Sequence, residues 1–439
     1  MIKVVFPAPM LSDLVAGFRS EARESFALVL ARPVRLSQAR WRLLVQSVHI
    51  PEPGEYEVRA RNTAPRALAS RLPVEERARA EGWSVIYCHG HPCPSGCPET
   101  GEVARAAYTA HRVPGVPHVS LVIDAAGVRA RAPGTAEEIE VWEIGQRISR
   151  FGPSVSPLLS LAHDRQIRAF GEDGQRAIQA LRVGFMGLGG TGSVAAQQLA
   201  HLGVRRFLLV DPDALDETSL NRVVGATPRD FGRAKVLIAK RTIRRIAPDA
   251  AVEAIRGDVL TACIGLKLRD VDFVFCCTDS QGSRHFVNQL AYQYLIPCLD
   301  MGVVIGTHDG AVTHMDARVQ MLTPGLSCLV CRPGILSPER VRWDLSSDEQ
   351  QKADPYFLEQ SGIKQPSVVS LNSTAVSLAV TMFLGAVTGI PAGARSLWYR
   401  GVKGDARLQE TEPHPGCIVC STEGNFAAGD TVPLPSRVM

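Results

Sequence analysis

The chain has 439 residues with 45% hydrophobic and 21% charged side chains, a composition typical of a globular protein with two or three domains. The formal net charge of +4 is small for this length, and the absence of a basic block excludes the electrostatic signature of a nucleic-acid-binding protein. The first residues have no charged start, long apolar stretch or small-residue cleavage site, so the sequence predicts no secretory signal.

The amino-terminal part alternates short apolar runs with one amphipathic segment. The pattern predicts strands over 24–32, 40–50, 83–91 and 118–124 and a helix over 73–82, which together indicate a small mixed α/β domain. Glycine, proline and a charged stretch interrupt the pattern over 128–157. We therefore predict a first domain over 1–145 and a second over 155–439.

The second part alternates strands and helices regularly. We predict strands over 181–187, 205–213, 271–279 and 296–303, and helices over 193–203, 234–248 and 283–295. This order is typical of a doubly wound parallel sheet with its ligand at the carboxyl ends of the strands. The apolar run over 373–390 contains serine, threonine and glycine and lacks basic flanks, so we expect a buried helix, no membrane span and a cytoplasmic protein.

A glycine loop follows the first strand of the second domain. Gly187, Gly189 and Gly192 form a G-x-G-x-x-G pattern that opens a helix, and Asp211 ends the next strand. Backbone N–H groups and the helix dipole at such a loop favour a phosphate group, although the same pattern can also be a simple tight turn. Alone, it fits a nicotinamide or flavin enzyme as well as an ATP-binding protein.

The residues downstream of the loop distinguish these alternatives. Arg222 and Lys235 offer two cations, and Asp279 follows an apolar strand. Two cations and a carboxylate at strand ends suit a triphosphate with Mg²⁺ better than a hydride carrier, because they stabilise a pyrophosphate leaving group and hold its metal. The set therefore favours ATP.

The segment over roughly 160–425 resembles the ThiF-type adenylating superfamily, which includes ubiquitin-activating enzymes and activators of sulfur-carrier proteins. The resemblance rests on an Arg-Gln pair at 165–166, G-x-G-G-x-G-S, D-x-D, N-R, the spaced lysine, C-T-D and two C-x-x-C pairs. It implies that Arg222 and Lys235 contact phosphate, that Asp279 binds Mg²⁺ and that Arg165 reaches the ATP of a partner subunit in a homodimer. The nucleotide-binding residues that it implies, with Asp211 on the ribose, are Gly187, Gly189, Gly190, Gly192, Asp211, Asp213 and Asn221.

The reaction implied by the resemblance is attack of a carrier protein's C-terminal glycine carboxylate on the α-phosphate of ATP. The products are an acyl-adenylate and pyrophosphate, and the step needs positioning and charge stabilisation. The activated carrier would pass to a conjugating enzyme or to a sulfur-transfer pathway. Two other hypotheses are an NAD(P)- or flavin-dependent oxidoreductase and a catalytically inactive scaffold that binds a ubiquitin-like protein.

Cysteines supply a further site. The chain has 11 cysteines, an odd number that argues against a disulfide framework, and four form the pairs Cys328/Cys331 and Cys417/Cys420. Four thiolates in two C-x-x-C pairs predict a tetrahedral structural zinc site, as in the resembled family, over incidental turns or a redox motif.

The ubiquitin-activating members of the family also have a thioester-forming cysteine between the zinc pairs, but residues 332–416 contain none. Either the adenylate passes directly to a partner's thiol or the acceptor lies elsewhere. Cys276 and Cys277 are expected in the core, and Cys263 is an unsupported candidate.

The stretch YCHGHPCPSGCPETGE over 87–102 is the chemical feature of the first domain. Two histidines at i and i+2 on a strand end can share one metal ion. The pattern, over roughly 8–130, resembles the JAB (JAMM) metalloprotease fold, in which two histidines and an aspartate bind zinc and a glutamate activates water. His89 and His91 match the pair, Glu102 stands where the aspartate is expected and Glu99 where a serine is expected, and Glu24 resembles the base.

Three interpretations of this first domain follow. It is an active peptidase, or a degenerate domain that binds the ubiquitin-like partner, or a domain in which Cys93 and Cys97 add metal ligands or serve as the thioester site. The aspartate-to-glutamate change and the missing serine favour the degenerate binding domain. Fusions of this kind resemble components of prokaryotic ubiquitin-like conjugation systems, some of them antiviral.

Overall fold

The computed structural model describes residues 1–21, 23–56, 68–90, 113–133, 135, 137–152, 159–353 and 366–437. The chain divides into one compact unit of Met1–Val155 with Ala427–Val432 and another of Ser156–Phe426 with Pro433–Met439. Ala427–Val432 therefore belongs to the first unit, although the sequence-based division placed it in the second domain. Within the first unit, Gln46 Nε2 donates to the Ala427 carbonyl at 2.9 Å and Arg32 Nη1 donates to the Ala428 carbonyl at 3.2 Å.

The described part of the first unit is a mixed sheet with helices. Its helices are α1 (Met10–Ser20) and α2 (Leu68–Glu81). Its strands are β1 (Ile2–Pro7), β2 (Ser25–Arg35), β3 (Trp41–His49), β4 (Ser84–Gly90), β5 (Val119–Asp124), β6 (Gly127–Arg131), β7 (Glu140–Ile144) and β8 (Ile148–Phe151). They pair in the order β6-β5-β4-β2-β3-β1-β7-β8, with β1 parallel to both β3 and β7.

Both faces of the central strand β2 are covered. Alternate residues of a strand point to opposite faces, and Val29 packs in one cluster with Leu14 of α1 while Leu28 packs in another with Ala78 of α2. This explains why β2 is an almost continuous apolar run instead of an alternating one.

The described part of the second unit contains a second sheet. Its strands are β9 (Arg182–Met186), β10 (Arg206–Asp211), β11 (Ala251–Arg256), β12 (Phe273–Cys276), β13 (Cys298–His308), β14 (Ala311–Leu322), β15 (Ser396–Arg400) and β16 (Asp405–Leu408). Its helices are α3 (Asp164–Ala180), α4 (Gly190–Leu202), α5 (Lys235–Ile246), α6 (Ala262–Gly265), α7 (Gln281–Gln293), α8 (Pro338–Leu345), α9 (Asp348–Ala353) and α10 (Val369–Val387).

The second sheet has the order β11-β10-β9-β12-β13-β14-β15-β16. Strands β9 to β13 pair in parallel, and β14 to β16 extend the sheet antiparallel. In chain order the parallel part reads 3-2-1-4-5, so its topological switch point lies between β9 and β12. Ligands of doubly wound sheets bind at the carboxyl ends of the strands on either side of that point.

Helix α10 is a core helix of the second unit. By length and composition it would be long and apolar enough to cross a membrane, and 56% of its most apolar window is buried. Phe383 of α10 packs edge-on against Phe273 of β12, with ring centroids 5.0 Å apart. The expectation of a buried apolar helix near 373–390 agrees with this packing.

The predicted elements occur in both units, with shifted ends. The helix predicted over 73–82 corresponds to α2, which is described over Leu68–Glu81 and contains Pro73. The strand predicted over 271–279 ends at Cys276, so Asp279 lies in the following loop. The strand predicted over 296–303 continues to His308, because β13 and β14 form a long hairpin.

Candidate functional site

The glycine loop joins β9 to α4 and is tightly packed on one side. Gly187 has a φ of +86°, and a Cβ atom there would lie 2.9 Å from the carbonyl oxygen of Cys277. A Cβ atom on Gly192 would lie 1.9 Å from the carbonyl oxygen of Gly187. Both positions therefore require glycine, one for its backbone conformation and one for the close approach of two backbones.

The other side of the loop is open. No further part of the described chain lies within 4 Å of a Cβ atom built on Gly189, the residue that precedes α4. No described side chain caps the first N–H groups of α4. A helix start with free N–H donors and open space is a favourable site for an anion.

Asp211 ties the end of β10 to this loop. Its Oδ2 accepts the N–H of Leu188 at 2.6 Å, its Oδ1 accepts the N–H of Asp213 at 2.8 Å, and its side chain is buried. Burial raises the pKa of Asp211, against the lowering effect of the two N–H donors and of Lys235. The residue predicted to bind the ribose thus also fixes the conformation of the glycine loop.

Lys235 begins α5 and is paired with Asp213. The Nζ of Lys235 lies 2.7 Å from Asp213 Oδ2, and its backbone N–H donates to the Asp213 carbonyl at 3.0 Å. The lysine is buried, whereas the Asp213 side chain is 61% exposed. Since an ammonium group has three donors, this contact leaves Lys235 with donors for a phosphate.

Arg222 lies directly beside the glycine loop. A Cβ atom on Gly190 would be 3.2 Å from Arg222 Cδ. Its Nη1 donates to the Thr218 carbonyl at 2.6 Å and to Asn221 Oδ1 at 3.2 Å. The structure therefore brings Arg222 together with the loop, while the exposed Asn221 orients the guanidinium.

Asp279 lies in the loop after β12, close to the glycine loop. Cys277, two residues before Asp279, contacts the glycine loop. Its carbonyl accepts a hydrogen bond from Thr191 Oγ1 at 3.4 Å and lies against Gly187. The Asp279 side chain is exposed and forms no hydrogen bond or ion pair within the described residues, but its negative charge is one of those that raise the pKa of Arg284. It is an accessible carboxylate at the carboxyl end of β12, as a metal ligand requires.

Arg165, near the start of α3, is exposed and likewise forms no hydrogen bond or ion pair within the described residues. No described contact joins Arg165 to the residues of the glycine loop. Its predicted role needs a second copy.

The four paired cysteines converge. Their sulfur atoms all lie within 4.8 Å of one another, with Cys328–Cys331 at 3.7 Å and both Cys328–Cys417 and Cys331–Cys420 at 3.5 Å. A tetrahedral zinc site with Zn–S bonds of about 2.3 Å places its sulfurs about 3.8 Å apart, so the cluster fits a Zn²⁺ ion. The described cysteines are all free of disulfides.

Cys276 is a buried core residue as expected, whereas Cys277 is half-buried. Burial raises the pKa of both thiols, to about 12 for Cys276. Cys263 is exposed on the surface of the second unit. A buried thiol with a raised pKa is a poor nucleophile, so neither residue of the pair is favoured as a thioester site.

Two buried polar residues near the site, Asn372 and Asp300, were not identified from the sequence. Asn372 of α10 is buried with its Nδ2 2.2 Å from the Cβ position of Gly190, and it is a lone amide in an apolar helix. Asp300 is a buried acid in β13, between Arg284 and Arg318. Burial alone would raise the pKa of Asp300, but the two guanidinium groups outweigh it and hold the pKa below its ordinary value.

The sequence profile of the ThiF family matches residues 163–418, which is more than half of the chain. The chain belongs to the ThiF family. The match confirms the resemblance inferred from the motifs, and its ThiF region contains the glycine loop, both cations, Asp279 and three of the four paired cysteines.

The ThiF region is similar in sequence to two named proteins. A molybdopterin-synthase adenylyltransferase of Escherichia coli (strain K12) is 26% identical over 264 residues, covering 59% of this chain and 96% of the relative. Ubiquitin-like modifier-activating enzyme 5 of Oryza sativa subsp. japonica is 26% identical over 259 residues, covering 56% of this chain and 57% of the relative. The chain thus spans less than two thirds of the second relative's length.

Among solved structures, E. coli MccB with ATP superposes with a TM-score of 0.48 at 19% identity, covering 60% of this chain and 75% of that chain. The family membership rests on the sequence match alone.

The main segment of the first unit, Met1–Val155, precedes the ThiF region in the sequence. Glu24 is buried just before β2, and His89 of β4 lies opposite Phe26 of β2, with ring centroids 5.7 Å apart. Glu24 and His89 therefore occupy the same end of the β2/β4 pair. His91, Cys93, Cys97, Glu99 and Glu102 lie outside the described residues, and the JAB-like resemblance stays a prediction.

Proposed function

We propose that this chain uses ATP to adenylate the C-terminal glycine carboxylate of a ubiquitin-like or sulfur-carrier protein. The observation that carries the proposal is the packing of the Asp279 loop on the glycine loop at the switch point of the sheet. The exposed Asp279 carboxylate, the N–H groups at the start of α4 and the nearby cations Arg222 and Lys235 support this proposal. A dinucleotide could use the helix N–H groups, but a metal-binding carboxylate with two cations suits a triphosphate and its pyrophosphate leaving group better.

The chain's residues supply binding and charge. The N–H groups at the start of α4 donate to phosphate oxygens, and Asp211, with its remaining lone pairs, accepts from the ribose. A carboxylate oxygen of the carrier forms a bond to the α-phosphorus while the bond to the bridging oxygen breaks, and pyrophosphate leaves. No proton has to move in this step. Arg222 and Lys235 stabilise the negative charge that accumulates on the leaving group.

Two metal ions fit the residues present. Asp279 would hold Mg²⁺, which neutralises phosphate charge when bound. The four-cysteine cluster would hold Zn²⁺ as a closed structural site, because all four positions of a tetrahedron are filled by sulfur.

The names of the two relatives support a protein carrier, since one is a molybdopterin-synthase adenylyltransferase and the other a ubiquitin-like modifier-activating enzyme. The carrier's fate stays a prediction. Without a cysteine in residues 332–416, we favour transfer of the activated glycine to a thiol of a conjugating enzyme or a sulfur-transfer protein. A cytoplasmic setting and a prokaryotic conjugation system, antiviral or not, likewise stay predictions.

The test is ATP–pyrophosphate exchange with a panel of ubiquitin-like and sulfur-carrier proteins that end in glycine. We expect exchange that requires the terminal glycine and is lost in Asp279→Asn. Asp309→Asn is the matched control, because Asp309 is a 90% exposed aspartate at the hairpin between β13 and β14. Absence of exchange with every carrier, in folded and zinc-loaded protein, would favour the inactive scaffold. Tight NADH binding in that protein would favour the oxidoreductase.

A homodimer with Arg165 acting across the interface is also proposed. Each site of such a dimer would combine Asp279 of one protomer with Arg165 of the other. Equal mixing of the inactive variants Arg165→Ala and Asp279→Ala, with subunit exchange, would then restore about a quarter of wild-type exchange. About half of the dimers would be mixed, and one of the two sites in each would regain both residues. No recovery, with mixed dimers shown to form, would contradict the arrangement.

For the first unit we propose a degenerate JAB-like domain that binds the ubiquitin-like partner. Glu24 and His89 at one end of the β2/β4 pair support a common site. Cleavage of a carrier fusion that is lost in both Glu24→Gln and His89→Ala would establish an active peptidase instead.

A further inference from the structure

The start of α7, directly after Asp279, is capped by a side chain from another helix. Ser280 is the N-cap of α7, and its Oγ accepts the N–H of Ser283 at 3.2 Å. Asp344 of α8 accepts at one oxygen, Oδ2, both the Ser280 hydroxyl at 2.8 Å and the N–H of Gly282 at 2.7 Å. One carboxylate oxygen thus holds the residue next to Asp279 and the first turn of α7.

The close approach of the two helices depends on Gly282. A Cβ atom at Gly282 would lie 2.7 Å from the Cβ of Asp344 and 3.0 Å from Leu260 Cδ1. Any larger residue at 282 would force α8 away from the start of α7, because the nearer atom, the Cβ of Asp344, is bonded directly to the α8 backbone. The contact is therefore built into the packing and is not a chance meeting of surface side chains.

The backbone of Asp344 is also held in place, by Arg437. The Nε of Arg437 donates to the Asp344 carbonyl at 3.2 Å. The same arginine pairs with Asp258 at 2.9 Å, and its backbone N–H donates to the Leu260 carbonyl at 2.8 Å. A second link joins the helices, since the N–H of Ser337 donates to Gln281 Oε1 at 3.4 Å.

The chemistry of the contact suits a positioning role. A carboxylate at a helix N-terminus faces free N–H groups and the positive end of the helix dipole, and both of its hydrogen bonds are charge-assisted. Neighbours that orient a metal ligand are worth about 10–100-fold in metal affinity. Asp279 is the first residue before this fixed turn, so the rotation of its backbone is limited by the contact.

We propose that Asp344 is a positioning residue that holds the Asp279 loop in the conformation that binds the divalent cation of MgATP. This inference rests on the proposed function, in which Asp279 binds that cation. Asp344 does not touch the ion. It acts through Ser280 and the first turn of α7.

The test measures Mn²⁺ binding in the presence of ATP by electron paramagnetic resonance, a readout that needs no turnover. Asp344→Ala should weaken Mn²⁺ binding about tenfold. Asp344→Asn should recover most of the affinity, since its Oδ1 can accept from the same two donors. Gly282→Ala keeps the Asp344 carboxylate but displaces it, so it should weaken Mn²⁺ binding as much as Asp344→Ala does. This second variant tests the inference even if Asp344→Ala is unstable.

Unchanged Mn²⁺ affinity in Asp344→Ala or in Gly282→Ala, with wild type binding normally, would overturn the inference alone. An Asp344→Asn variant that binds Mn²⁺ no better than Asp344→Ala would also overturn it, because asparagine keeps the acceptor that fixes Ser280 and the first turn of α7. A wild-type protein that binds no Mn²⁺ with ATP would overturn the proposed function. The Mn²⁺ and pyrophosphate-exchange results for Asp309→Asn should both match wild type.

Discussion

Two alanine substitutions in the glycine loop separate packing from ligand binding. In Gly192→Ala the new methyl group would sit 1.9 Å from a backbone oxygen, while in Gly189→Ala it would meet no other part of the described chain within 4 Å. The two changes are chemically identical and lie three residues apart. They should nevertheless affect different properties of the protein.

The expected magnitudes differ accordingly. Overpacking against backbone costs about 3 kcal/mol of unfolding free energy at Gly192, which lowers the thermal midpoint by about 6–12 °C for a domain of this size. At Gly189 we expect a smaller loss of unfolding free energy than at Gly192, because the new methyl group meets no other part of the described chain within 4 Å. ATP affinity should behave differently at Gly189, where a methyl group in the phosphate space removes about one charge-assisted hydrogen bond and weakens binding about tenfold.

The assays are thermal unfolding of each variant without ligand and ATP binding by isothermal titration calorimetry. If Gly189→Ala binds ATP as tightly as wild type, the phosphates do not lie over the start of α4 and the account of the site is wrong. If the thermal midpoint of Gly189→Ala is as low as that of Gly192→Ala, then the space beside Gly189 is filled and the description of the loop is wrong.

Three further predictions concern the metal site, a cation and an ion pair. Cys417→Ser should lose zinc by elemental analysis and lower the thermal midpoint, because zinc binding contributes about 10 kcal/mol or more in small zinc domains; the exposed Cys263→Ser should do neither. Lys235→Ala should lower pyrophosphate exchange by about 100-fold or more with little change in zinc content. Exchange at the wild-type rate would show that Lys235 does not act in the site. The Arg241 guanidinium lowers the pKa of buried Asp230 below its ordinary range, so ionised Asp230 stabilises the fold above the unfolded carboxyl pKa of about 4, and this stability is lost as pH falls below it. Asp230→Asn should therefore be less stable than wild type at pH 7 in urea unfolding, with the difference shrinking below about pH 4; a pH-independent difference would contradict the pair.

Local patterns predicted part of the fold correctly. The glycine loop and the β9–α4 connection follow from steric rules within a few residues, so the sequence alone identified them. The paired cysteines were also predictable, although Cys328 and Cys417 are 89 residues apart, because metal-ligand spacing within each pair is a local signature.

Contacts without a local signature could not be predicted. Asp344 and Gly282 are 62 residues apart, and nothing in either neighbourhood marks the pair. The long β13/β14 hairpin and the antiparallel extension of the sheet were missed, because their exposed halves lack the apolar periodicity of a strand. The end of β12 was placed three residues too late, because Cys277 extends the apolar run by one residue and the turn that begins after Cys276, the last residue paired with β9, has no glycine or proline to mark it.

The most direct test of adenylation follows an oxygen atom. A glycine-ended carrier that supports exchange is labelled with ¹⁸O in its terminal carboxylate, incubated with the protein and MgATP, and treated with hydroxylamine, which attacks the acyl carbonyl and releases AMP. Mass spectrometry of the AMP should show one ¹⁸O on its phosphate, because the carboxylate oxygen is the atom that attacks the α-phosphorus. AMP without label, or release of ADP and phosphate in its place, would contradict the account.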